Sequence, residues 1–83
     1  MESKKSKIIK MVESKFTLPY GNGQLCKQVT KEDFESIGLN PRIEYQEKYC
    51  DAIYAASIFR KMGARTFFTA YSLVIVERGD FCF

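Results

Sequence analysis

The sequence predicts an α+β fold: a small single domain with one long central helix packed on a short antiparallel β-sheet, plus a short capped helix and an N-terminal helix. Three stretches carry that expectation. Gly21-Asn22-Gly23 divides two short apolar runs in the manner of a β-hairpin. Thr30-Lys31-Glu32-Asp33 opens a helix and Gly38 closes it, after which Asn40-Pro41 begins a much longer one. Arg65 to Arg78 is rich in β-branched and aromatic residues, which prefer a pleated surface.

Residues 1–7 are polar and read as a flexible basic terminus. From Ile8 to Phe16, Ile9, Val12 and Phe16 form a helical stripe with Ile8 and Met11 beside it, although a strand fits that apolar pattern about as well. Phe16, Leu18 and Tyr20 then alternate before the glycines. A two-residue Asn-Gly loop would place Pro19 opposite Cys26 at a hydrogen-bonded position, where proline has no N–H to give. A four-residue loop over Gly21 to Gln24 instead turns that position outward, which makes the Pro19 strand an edge of the sheet.

In the Thr30 helix, Thr30 caps the Asp33 amide while Asp33 reaches back, and Val29 and Phe34 stand where a hydrophobic staple needs them. The long helix, from Pro41 to about Met62, spans about 33 Å at ~1.5 Å per residue. Its first half mixes charges with Ile43, Tyr45 and Tyr49, whereas Cys50 to Phe59 is apolar nearly all round. Such a helix is covered on more than one side, by the sheet and by either the N-terminal helix or a second subunit. Along 65–78, a continuous strand would put Phe67, Leu73 and Ile75 on one face and Phe68, Val74 and Val76 on the other, while a bend near Ser72 would split it in two. Gly79 marks a turn, and Phe81-Cys82-Phe83 folds back as a last short strand.

Composition limits the chemistry. An 83-residue chain affords one core, and 46% hydrophobic residues argue against disorder. There is no histidine, which removes Ser-His-Asp and Cys-His catalysis along with the usual zinc sites. The three cysteines, Cys26, Cys50 and Cys82, have neither CxxC nor zinc-ligand spacing and read as buried, reduced thiols. Cys50 beside Asp51 is a poor thiolate, because a neighbouring carboxylate raises a thiol pKa. Glu32 with Glu35, and Glu44 with Glu47, share helix faces as solvated carboxylates commonly do. Gly21-Asn22-Gly23 lacks the Lys-Ser/Thr of a phosphate-binding loop, and Arg78-Gly79-Asp80 reads as a charged turn. The expectation is a non-enzymatic protein with no cofactor and no metal. Without a membrane-length apolar run or a signal peptide, it is expected in the cytoplasm.

Two groups remain as interaction candidates. Tyr45 and Tyr49, one turn apart on the long helix, with Arg42, Glu47, Lys48 and the hairpin Tyr20, form a candidate protein-binding surface. The first 15 residues hold five lysines, Lys4, Lys5, Lys7, Lys10 and Lys15, against two glutamates. The remaining residues balance eight basic with eight acidic side chains, so the whole net charge of +3 sits in that first segment. These lysines are candidates for nucleic-acid phosphates or an acidic protein face. In size and economy alone, the chain is similar to the small accessory and inhibitor proteins that bacteriophages and other mobile elements encode to block a host complex. The expected function is therefore a protein-binding module of that inhibitor type, with homodimerisation through the apolar helix or the edge strand. The alternative is a weak nucleic-acid binder using the lysine-rich segment.

Overall fold

Ser3 is the first residue to act structurally: its hydroxyl accepts the Ser6 N–H at 3.1 Å and caps helix α1, Lys4–Glu13. In the computed structural model, which describes residues 3–39, 51–69 and 72–83, α1 is followed by β1 (Leu18–Gly21), β2 (Gln24–Thr30), α2 (Lys31–Ser36), α3 (Asp51–Lys61), β3 (Arg65–Phe68) and β4 (Ser72–Val76). This is the expected α+β class. The four strands form one antiparallel sheet in the order β1-β2-β4-β3.

The start of α1 falls inside the segment that reads as frayed, because Ser3 satisfies a terminal amide and Lys4 Nζ reaches Asp51 Oδ1, 2.8 Å away at the first described turn of α3. The buried face of α1 is Ile8, Met11 and Val12, an i, i+3, i+4 set, rather than the Ile9-Val12-Phe16 stripe. The helix ends at Ser14, so Phe16 lies beyond it and faces water.

Between β1 and β2 the turn is the two-residue Asn22-Gly23, with φ of 53° and 76°, as a primed hairpin turn requires. The four-residue loop does not form. Instead a register shift at Tyr20 sets Pro19 opposite Leu25. Leu25 gives its N–H to Glu77 Oε1 and takes the Glu77 N–H on its carbonyl, so it bonds towards β4 and away from β1. The Pro19 nitrogen therefore sits on the open side, and the edge position expected of this strand is reached through a bulge.

Helix α2 carries the full capping box, with Asp33 N–H on Thr30 Oγ1 and Thr30 N–H on Asp33 Oδ2 at 2.8 Å. Lys15 Nζ adds an ion pair to the same Asp33 oxygen at 2.7 Å. Burial opposes the charged form of Asp33, but the hydrogen bonds from Lys15 and Thr30 outweigh it and hold the carboxyl below its ordinary value. A carboxyl with a depressed folded pKa stabilises the fold above its unfolded pKa of about 4, and that contribution fades as pH falls through the folded value. Asp33→Ala should thus cost about 1–2 kcal/mol at neutral pH, read from the urea midpoint. The gap from the unaltered chain should close in acid; a gap that ignores pH would contradict the ionic part of this account.

At the other end of α2, Leu39 N–H bonds to Phe34 O and Gly38 N–H to Glu35 O, with Gly38 at φ 78°. Helix α3 ends the same way through Ala64, Gly63 and the Phe59 and Arg60 carbonyls. Both are Schellman closures, and both glycines are where the sequence places them. Residues 51–61 of the long helix are helical; the expected stretch from Pro41 to Cys50 lies outside the described residues.

β3 and β4 pair antiparallel with each other, the split alternative. Thr69 N–H bonds to Ser72 O at 2.8 Å and Ser72 N–H to Thr69 Oγ1 at 3.0 Å across the reversal. The pairing Phe67↔Val74 and Phe68↔Leu73 exchanges the faces relative to a continuous strand. Phe67 joins Val74, Val76 and Cys26 in a small cluster on one face. On the other, Leu73, Ile75 and Val29 join the main core with Phe34, Phe59 and the buried residues of all three helices. Ala52, Ala55 and Ala56 are fully buried in it, and α3 is met by α1 as well as by β3 and β4. Phe81 is held by an isolated bridge to Arg78, not by a strand, and its ring meets Phe59 edge-on.

Candidate interaction surface

Along β1 every side chain is exposed. That is unusual for a strand carrying Leu18 and Tyr20, each with 41% of its surface in water, and preceded by Phe16, with 88%. The cause lies in the topology: β1 is the edge of the sheet, and Leu18 pairs with Cys26 on the face away from the helices. Tyr20 also lies towards that face. Its ring stands 6.1 Å from that of Phe67, a residue of the opposite edge strand, so the two aromatic side chains meet over that face of the sheet. Leu25, across from Pro19, is a further exposed apolar residue of the hairpin.

Of the candidate protein-binding residues, Tyr20 is thus placed at an exposed apolar edge. Arg42, Tyr45, Glu47, Lys48 and Tyr49 lie outside the described residues. Sequence reading missed Phe16, assigned inward by its spacing, and Leu18 as a surface residue. The signal that marks them is Ser14, whose place at the helix end takes Phe16 off the buried stripe.

The candidate nucleic-acid lysines divide. Lys4 pairs with Asp51, and the hydrogen bond and charge of that carboxylate raise its pKa. Lys15 pairs with Asp33. Lys5, Lys7 and Lys10 are exposed on α1. Lys4 and Lys15 are therefore committed to joining α1 to α3 and to the capped turn of α2.

A sixth lysine, one the sequence does not advertise, is buried: Lys27 on β2 keeps 6% of its surface exposed. Its ammonium donates to the carbonyls of Val12 and Glu13, both at 3.1 Å, at the C-terminal end of α1, and lies 5.0 Å from the centre of the Phe83 ring. A cation there meets the negative end of the helix dipole. Lys27 thereby joins α1 to the centre of the sheet.

Cys26 and Cys82 are free thiols; Cys26 is buried as expected, which pushes its pKa up, whereas Cys82 is exposed, contrary to the buried position expected of it, because it lies beyond the last strand. Among the described residues no cluster of metal-ligating side chains is present and no helix is long and apolar enough to cross a membrane. No family model matches the chain, and neither a curated protein nor a solved structure matches it significantly.

Proposed function

We propose that the chain is a non-enzymatic protein-binding module that docks through the apolar edge formed by Phe16, Leu18 and Tyr20. One observation carries this reading: a phenylalanine with 88% of its surface in water leads directly into an edge strand whose Leu18 and Tyr20 are exposed as well. Contiguous exposed apolar side chains of this kind mark interaction sites. Burying the Phe16 side chain in a partner would contribute roughly 1.5–3 kcal/mol, and aromatic anchors of that type dominate binding energy.

Pro19 constrains how the partner binds. Its nitrogen occupies the open side of β1 and has no hydrogen to donate, so a partner strand cannot extend the sheet without losing a bond there. Recognition then falls to the side chains, and the partner surface needed is an apolar groove. In this role the module acts as an inhibitor or accessory protein of mobile-element type, covering a functional groove of a host complex. A nucleic-acid role is less favoured because Lys4 and Lys15 are already paired within the fold.

The test is capture from an extract of cells in which the gene resides, using the unaltered chain and Phe16→Ser, with captured proteins identified by mass spectrometry. Phe16 is exposed enough for the substitution to leave stability within about 0.5 kcal/mol. A defined partner should be retained by the unaltered chain and bound at least about tenfold more weakly by the variant. Equal capture by both, or capture of nuclease-sensitive material alone, would sink the reading.

A further inference from the structure

The helix-covered side of the sheet contains a cavity of about 300 Å³, walled by Ile9 and Val12 of α1, Phe59 of α3, Met62, Phe81 and Phe83. Lys27 reaches it from β2. This volume is at the lower end of the about 300–1,000 Å³ of small-molecule pockets, and an apolar wall with a few polar groups is their usual composition.

Lys27 is what makes the cavity more than a packing gap. The ammonium has three donors, of which the Val12 and Glu13 carbonyls take two. Among the described residues no carboxylate forms an ion pair with it. The end of a helix offsets only about half an elementary charge, and the Phe83 ring adds a weaker attraction. The third ammonium donor therefore points to a head group in the cavity, and the ammonium has no ion-pair partner among the described residues. Glu13 also borders the cavity, but it is an exposed residue at the helix end, where solvent screens its charge.

The geometry points to a binding site for a small unbranched aliphatic carboxylate, its chain among Ile9, Phe59, Met62 and Phe81 and its head group on Lys27. The carboxylate supplies the opposite charge that the buried ammonium lacks, and the chain replaces water against the apolar wall. None of the β1-edge residues takes part, so this site and the protein-docking edge stand or fall separately.

Titration of the ¹⁵N-labelled chain with butanoate, hexanoate, octanoate, octanol and octylammonium, followed by NMR, tests the assignment. Octanoate should shift the amides of Val12, Glu13 and Phe81 to Phe83 saturably. Affinity should rise about fourfold for each methylene that enters the cavity, and octanoate should bind at least tenfold more tightly than octanol or octylammonium. In Lys27→Met the advantage of octanoate over octanol should disappear while octanol binding persists. Should that variant fail to fold, the comparison of head groups on the unaltered chain decides alone. Octanol binding as tightly as octanoate, saturable shifts elsewhere, or no saturation by any ligand at millimolar concentration would each overturn the proposal.

Discussion

Phe34→Ala should unfold a large part of the population at physiological temperature. Phe34 has no exposed surface, and it belongs to the core cluster that also holds Val29, Leu73 and Ile75. Truncating a buried phenylalanine costs about 3–5 kcal/mol, against a total of roughly 4–12 kcal/mol for a domain this size. The residue also serves both ends of its own helix. It is the partner of Val29 in the staple at the start of α2, and its carbonyl accepts the Leu39 N–H that closes the end. Six residues are too few to hold a helix without tertiary packing, so the loss should spread through α2. Calorimetry should show a melting temperature lower by at least about 12 °C; a fall of only a few degrees would mean that the surrounding side chains close over the gap.

The second large effect should come from reversing the charge at Lys27. In Lys27→Glu a carboxylate would face the Val12 and Glu13 carbonyls and the negative end of α1, with no cation to balance it. An uncompensated buried charge of this kind costs about 3–5 kcal/mol. Lys27→Met, which keeps the length and removes the charge, should cost only about 1–3 kcal/mol for the carbonyls left without a donor. The order of the two variants in urea unfolding is the informative result. If they were equally destabilised, packing by the aliphatic stem would explain Lys27 and the contact with the helix end would not. Amide exchange should also accelerate first in α1, the element that Lys27 anchors.

What the sequence made legible and what it hid divide along a physical line. Thr30, Asp33, Gly38, Gly63 and Asn22-Gly23 could be read because caps and tight turns are local: the residue type and the backbone geometry that needs it lie within a few positions. Pro19 could be placed at an edge because a missing N–H limits where a strand can lie. The pairing of β3 with β4 escaped a firm reading because Thr69 and Ser72 bond to each other through ordinary hydroxyl and backbone groups, and the sequence between the strands has no glycine, asparagine or proline to announce a reversal. Lys27 escaped because a lysine is ordinarily a surface residue, although strand alternation puts it on the face of Leu25 and Val29; only the arrival of α1 over β2 supplies the carbonyls that make burial tolerable. Of the proposed docking edge, Tyr20 was legible, whereas the exposure of Phe16 depends on where α1 stops.

The strand order carries a consequence for how the chain reaches this state. β1 with β2, and β3 with β4, are near neighbours in sequence, and such hairpins close in about 1–10 μs. The centre of the sheet is different: β2 must find β4, joining Cys26 to Val76 and Lys27 to Ile75 across about 50 residues of chain. Closing a loop of that length costs entropy before any contact repays it. The β2–β4 seam is therefore the pairing of the sheet with the largest entropic cost, and either hairpin formed before it would hold its apolar face in water. Closing the seam covers those faces, and Phe16, with Leu18 and Tyr20, is then among the large apolar side chains that stay in water.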